Sequence, residues 1–74
     1  MKKTIYSDEH KYFVRRLREA RETAGFEQAR VAKLLGKTQS YVSKIESGQR
    51  RVDLIQLREF AKIYKRSLNY FISS

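Results

Sequence analysis

Four hydrogen-bonding side chains in the middle of the chain share the spacing of one helix face. They are Gln39, Ser40, Ser43 and Lys44. Glutamine can form two hydrogen bonds with adenine, lysine can donate to the acceptors of guanine, and serine can bond to several bases. A helix of about eight residues is about 12 Å long, which is close to the width of the DNA major groove. The pattern therefore suits contact with base edges, although any solvated helix carries the same residue types.

Residue types that serve catalysis or metal binding are scarce. The chain of 74 residues has no cysteine and a single histidine, His10, which leaves no disulfide, thiolate metal site or histidine cluster. His10 stands beside Asp8 and Glu9, and the solvated start of a helix explains this trio better than an acid–base or metal site. We therefore expect no enzyme, no catalytic residue, no metal and no cofactor.

The charge of the chain favours a polyanionic partner. Seventeen Lys and Arg against eight Asp and Glu leave a formal net charge of +9, which attracts nucleic acid through counterion release. Residues 28–51 contain six of the basic residues and a single acid, Glu46. A merely solvated basic surface or a lipid surface is the alternative. No apolar run reaches the roughly 20 residues that span a bilayer, and no apolar signal segment follows Met1, so we expect a cytoplasmic protein without membrane contact.

The elements that position these residues are predicted to be helices joined by short turns. The chain has no proline and three glycines, and it lacks the alternating pattern of strands. We predict a first helix at about 8–24 with Ser7 as its cap, a second at about 28–35, and a third at about 39–46 with Thr38 as its cap. A fourth helix begins at a capping box of Asp53 and Gln56 and ends near Arg66. A short fifth helix follows, with Ser67 as its cap. One domain spans residues 7–74, preceded by a flexible basic arm at 1–6.

Apolar residues at helical spacing define the expected core. They are Phe13, Leu17, Ala20 and Ala24, then Val31, Ala32 and Leu35, then Tyr41, Val42 and Ile45, then Leu54, Leu57, Ala61 and Tyr64. The short fifth helix carries Leu68, Phe71 and Ile72. Only Gly36, Lys37 and Thr38 separate the second and third helices. So short a joint forces a steep crossing, in which one helix braces against the DNA backbone and the next enters a groove.

Residues 17–71 resemble the Cro/cI-type helix-turn-helix family, also called XRE-like. The likeness rests on Leu17 and Arg18 with Arg21, on QARVAKLLG at 28–36, on TQSYVSKIESG at 38–48, and on SLNYF at 67–71. It implies an all-α, five-helix domain of the phage-repressor type that binds double-stranded operator DNA as a transcriptional regulator, specifically a repressor. An antitoxin or protein-interaction module with the same fold is the alternative, with any toxin partner left open.

The resemblance also implies roles for individual residues. Gln39, Ser40 and Lys44 would read bases, with Ser43 beside them. Gln28, Arg50 and Arg51 would bind phosphates, which sets the register of the protein on DNA without reading sequence. Tyr41 would contact a phosphate or a thymine methyl group, or else pack against the domain.

Arg21 and Glu46 are predicted to pair. Arg21 lies four residues after Leu17 on an apolar stripe, and Glu46 lies four after Val42, so each charge needs a partner at the edge of the core. The resemblance implies the same bridge. An exposed pair worth under about 1 kcal/mol is the alternative.

A homodimer is expected because one recognition helix reads only a few base pairs. The apolar side chains near the C-terminus offer a contact surface, unless they complete the monomer core. They are Tyr64, Tyr70, Phe71 and Ile72. Three departures from the family pattern affect local structure: Glu27 at a capping position, Val52 where proline is frequent, and Lys65-Arg66 in place of a Gly-Val joint.

Overall fold

The computed structural model describes residues 8–72. These residues form five helices: α1 (Asp8–Ala24), α2 (Gln28–Leu35), α3 (Gln39–Glu46), α4 (Leu54–Tyr64) and α5 (Leu68–Ile72). The predicted all-α, five-helix fold is confirmed, and the described range contains no strand. The predicted arm at 1–6 and the cap at Ser7 lie outside the described residues. No helix between residues 8 and 72 is both long and apolar enough to cross a membrane.

Local side-chain and backbone chemistry sets the helix boundaries. The Thr38 hydroxyl oxygen accepts a hydrogen bond from the Tyr41 amide at 3.2 Å, which caps α3. Asp53 and Gln56 form the predicted capping box before α4, with bonds of 2.8 and 3.1 Å. Glu27 forms no side-chain cap on α2. α4 ends at Tyr64 rather than near Arg66, because the next residue turns into the left-handed region.

The core lies where α1 packs against α3, α4 and α5, and where α2 packs against α3 and α4. Its buried side chains are Leu17, Ala20, Val31, Ala32, Val42, Ile45, Leu57, Phe60, Ala61, Tyr64 and Phe71. Phe60 is 2% exposed, although it was not among the predicted core residues. Ala24 and Leu54 were wrongly predicted to face inward. Both are exposed, because Ala24 is the last residue of α1 and Leu54 is the first residue of α4, and a helix end has fewer neighbours than a helix centre.

Two of the four residues predicted to form a dimer surface are buried inside the monomer. Tyr64 and Phe71 are 4% and 0% exposed, so both complete the monomer core and neither can contact a second molecule without unfolding. Tyr70 is half-buried, and its ring lies edge-on to that of Phe71 with centroids 5.0 Å apart. Ile72 is 62% exposed. Of the four side chains, only Ile72 is largely exposed.

Candidate nucleic-acid interface

A tight turn joins α2 to α3. Gly36 has a φ of +71°, and its amide donates to the Lys33 carbonyl oxygen at 3.1 Å. The Lys37 amide donates to the Ala32 carbonyl oxygen at 2.8 Å, which closes the end of α2. Thr38 then caps α3 directly. Only these three residues separate the two helices, and the inward residues of both helices meet in the core.

The two faces of α3 differ sharply in exposure. Val42 and Ile45 are 0% and 1% exposed, which anchors the inner face. The predicted base-reading side chains all lie on the exposed side: Gln39, Ser40, Ser43 and Lys44. The structure thus brings these four together on one solvent-facing strip that carries no carboxylate. Such a strip can donate and accept hydrogen bonds at base edges.

Tyr41 stands at the edge of this strip between two cations. Its half-buried ring has the Lys37 ammonium nitrogen 5.3 Å from its centroid and the Arg50 guanidinium carbon 5.0 Å away. Ser40 and Lys44 also line the open cleft at this place, which has a volume of about 510 Å³. The two cations and the ring are held together by cation–π attraction.

The charges near Tyr41 are of both signs. Burial raises the pKa of the Tyr41 hydroxyl above its usual range, the positive charge of Arg50 opposes this rise, and the negative charges of Glu59 and Asp53 add to it. A tyrosine hydroxyl can donate a hydrogen bond to a phosphate oxygen. Lys37 was not among the predicted site residues. The feature of the sequence that could have indicated it is its position immediately before Thr38, the cap of α3.

The predicted pair of Arg21 and Glu46 is present, with Glu46 buried and Arg21 partly buried. Arg21 Nε donates to Glu46 Oε2 at 2.7 Å, and Arg21 Nη2 donates to Oε1 at 3.1 Å. The side chains are 13% and 2% exposed. Hydrogen bonding to Glu46 raises the pKa of Arg21 above its usual value, against the opposing effect of burial. Arg21 Nη1 also donates to the Phe26 carbonyl oxygen at 2.9 Å, so the pair ties α1 to α3 and to the loop before α2.

Gln28 joins the same network, which the sequence did not reveal. Its amide Nε2 donates to Glu46 Oε1 at 3.0 Å, and the side chain is half-buried at the first residue of α2. A primary amide carries two N–H groups, so this bond leaves a second donor for another acceptor. Glu46 therefore holds the Gln28 side chain in place at the first residue of α2.

The two arginines expected to bind phosphate lie in the loop between α3 and α4. Arg50 and Arg51 are both exposed. Arg50 belongs to the cleft around Tyr41, and its amide donates to the Lys44 carbonyl oxygen at 3.2 Å. Arg50 is thereby tied at its backbone to the C-terminal end of α3.

The family model for the helix-turn-helix domain matches residues 17–71 of the chain. The matched range begins within α1 and contains the turn between α2 and α3. No curated protein matches the sequence.

Proposed function

The chain belongs to the XRE-type helix-turn-helix family of DNA-binding transcription regulators, and from this premise we propose that α3 reads operator DNA in the major groove. The observation that carries the proposal is the contrast between the two faces of α3. The inner face is fully buried, while the outer face carries only polar and basic side chains. α3 can therefore enter a groove without loss of the fold.

Base reading is assigned to the outer strip of α3. Gln39 suits adenine, Lys44 suits guanine, and Ser40 and Ser43 adapt to several bases. Each well-formed contact of this kind discriminates against a wrong base by about 1 to 3 kcal/mol. The strip is short, so one protomer reads only a few base pairs.

Phosphate binding is assigned to residues that flank the strip on both sides. Gln28 acts at the start of α2, where the amide groups and the helix dipole also favour an anion. Tyr41 acts from within α3 at the edge of the strip, and Arg50 and Arg51 act from the loop after α3. Lys37 adds a cation to the Tyr41 cleft. These contacts supply salt-dependent affinity and set the register of α3.

Repression is the regulatory outcome we assign. A homodimer places two copies of α3 about 34 Å apart, one turn of DNA, so that a palindromic operator is read from one side. Occupancy of the operator excludes other proteins from it, and no catalytic step is needed. Such a regulator acts in the compartment that holds the DNA, which we take to be the cytoplasm.

Two classes of variant test these assignments. Gln39→Ala and Lys44→Ala should each relax preference at one base position, while binding to other sequences changes little. Arg50→Ala should weaken binding to every sequence alike and lower the slope of log affinity against log salt by about one unit. Affinities would be measured by fluorescence anisotropy over a panel of single-base operator variants at several salt concentrations.

Arg66→Ala is the matched control, because it removes one exposed positive charge from the turn between α4 and α5 rather than from the loop beside α3. It should leave base preference unchanged and should reduce the salt slope less than Arg50→Ala. If all four variants behave alike, α3 does not read the groove, and a protein-interaction role for this fold becomes the better explanation.

A further inference from the structure

An apolar groove between α2 and α4 is left uncovered by the fold. Leu34 and Ile55 are 48% and 63% exposed on its walls, and Leu35 and Ile63 are half-buried beside them. The groove is open and has a volume of about 410 Å³. Leu54, at the start of α4, is also 62% exposed. Contiguous exposed apolar surface of this kind marks an interaction site.

The groove is separate from the surface assigned to DNA. None of its lining residues belongs to α3, to the Tyr41 cleft or to the loop that carries Arg50 and Arg51. Its exposed leucine and isoleucine side chains offer no donor or acceptor to a base or a phosphate. The DNA-binding role therefore leaves this surface unexplained.

The shape of the groove favours a helix as its occupant. Two helices form its walls, and residues 8–72 contain no strand whose edge could take up an extended peptide. A segment that fills a groove between two helices does so as a third helix, whose apolar face packs into the groove. Such a segment carries apolar side chains at positions i, i+3, i+4 and i+7.

Three charged side chains line the groove and set the sign of its partner. Arg58 and Lys62 lie one turn apart on α4, Glu59 follows Arg58, and all three are exposed. The lining is therefore net positive. A second copy of this chain would oppose its own two cations and its own net charge of +9 at this place. A segment whose apolar residues are flanked by carboxylates is complementary instead.

We propose that the groove between α2 and α4 binds an amphipathic, acidic helix of a partner protein. Apolar side chains of that helix pack against Leu34 and Ile55, and its carboxylates pair with Arg58 and Lys62. The proposal goes beyond the reading of DNA and does not depend on it. Because the groove lies apart from α3, the partner and DNA can be bound at the same time, and the chain then carries the partner to the DNA.

Selection from two displayed libraries of helical peptides tests the chemistry of the partner. Both libraries vary the apolar residues on one face of a peptide of about 15 residues. One library carries aspartate and glutamate at the flanking positions, and the other carries lysine and arginine. At about 0.15 M salt, we expect peptides to be enriched from the acidic library and none from the basic one. Enrichment from the basic library, or from neither, would overturn the proposal.

A pair of isoleucine variants locates the bound peptide. Ile55→Ser should raise the dissociation constant of an enriched acidic peptide about tenfold or more, as measured by fluorescence anisotropy. Ile72→Ser is the matched control and should leave the constant unchanged, because Ile72 lies outside the groove and is 62% exposed against 63% for Ile55. Circular dichroism would verify that both variants are folded. If Ile55→Ser binds as tightly as the wild type, the peptide lies elsewhere and the proposal fails.

Charge reversal separates the groove from the net charge of the chain. Arg58→Glu combined with Lys62→Glu should abolish binding of the acidic peptides and should enrich the basic library instead. Lys11→Glu combined with Arg15→Glu makes the same change in net charge at two exposed positions one turn apart on α1. This control should weaken acidic peptides far less and should enrich nothing from the basic library. Equal losses in the two double variants would show attraction by net charge alone.

Two competitors exclude other occupants of the groove. Duplex DNA should not displace the peptide, since DNA is assigned to α3, and displacement would place the peptide on the DNA-binding surface instead. Vesicles of phosphatidylserine and phosphatidylcholine should bind the wild type and Ile55→Ser equally. Weaker binding of Ile55→Ser to the vesicles would assign the groove to a lipid surface and overturn the proposal. Peptide affinity is measured without DNA, so the result does not depend on whether α3 reads an operator.

Discussion

Glu46 holds together the part of the molecule that is assigned to DNA binding. Its carboxylate accepts two hydrogen bonds from Arg21 and one from Gln28, and Arg18 Nε lies 3.8 Å from Oε1. Within residues 8–72 it is the one charged residue that is buried. A buried carboxylate is tolerated only while its hydrogen bonds and its opposite charge are present.

Replacement of Arg21 by alanine should therefore destabilise the fold strongly. The change leaves Glu46 buried without its bidentate partner, at a cost of about 3 to 5 kcal/mol in the free energy of unfolding. Lys33→Ala removes an exposed cation from α2 and should change the free energy of unfolding by less than about 0.5 kcal/mol. Urea denaturation of both variants checks this. Equal midpoints would show that the pair contributes no more than a surface ion pair.

The sequence pattern predicts the pair of Arg21 and Glu46, but it does not predict the contacts made by Gln28 and Lys37. Arg21 and Glu46 stand out because each lies on an otherwise apolar stripe, where a charge needs a partner. Gln28 and Lys37 occupy no such stripe, and spacing alone does not say which way a side chain points. Their contacts with Glu46 and Tyr41 depend on how the helices cross, which only tertiary structure provides.

At the scale of the elements, the turn between α4 and α5 stores backbone strain. Lys65 has a φ of +58° and is the one non-glycine residue among residues 8–72 with a positive φ. Its amide donates to the Lys62 carbonyl oxygen at 3.3 Å, and the Arg66 amide donates to the Ala61 carbonyl oxygen at 3.0 Å. The same pattern ends α2, where glycine occupies the strained position. A side chain in the left-handed region costs about 1 kcal/mol.

Lys65→Gly should consequently stabilise the protein by about 1 kcal/mol, because glycine adopts this conformation without strain. Lys62→Gly is the matched control, since it makes the same chemical change within α4 and should destabilise by about 1 kcal/mol. Thermal unfolding should show the midpoint rising by about 4 to 8 °C for the first variant and falling similarly for the second. A lower midpoint for Lys65→Gly would contradict the strain at this turn.

The ends of the helices could be predicted because a cap depends on hydrogen bonds between residues close together in the sequence. The burial of individual side chains could be predicted only in part. Thr38, Asp53 and the glycines after α1 and α2 set boundaries through contacts within a few residues. Leu54 fits the apolar stripe of α4 but starts the helix, where no other element covers it. Phe60, three residues after Leu57, fits the same stripe and fills the core. Which edge of a stripe is buried depends on the packing partner.

The whole molecule separates two kinds of surface. One runs along α3 and the adjoining loop and is polar and basic, while the other lies between α2 and α4 and is apolar, with Arg58, Glu59 and Lys62 also lining it. The first suits a polyanion. Net charge supplies nonspecific attraction to DNA at any sequence, so we assign sequence preference to the strip on α3.

Selection of operators from a random double-stranded DNA library, at about 0.15 M salt, tests the central claim most directly. We expect an enriched palindrome with half-site centres about 10 base pairs apart. The same selection with Lys44→Ala should lose preference at one position, symmetrically in both halves. Enrichment of no sequence, or of one that Lys44→Ala and Gln39→Ala select unchanged, would contradict the reading of operator DNA by α3.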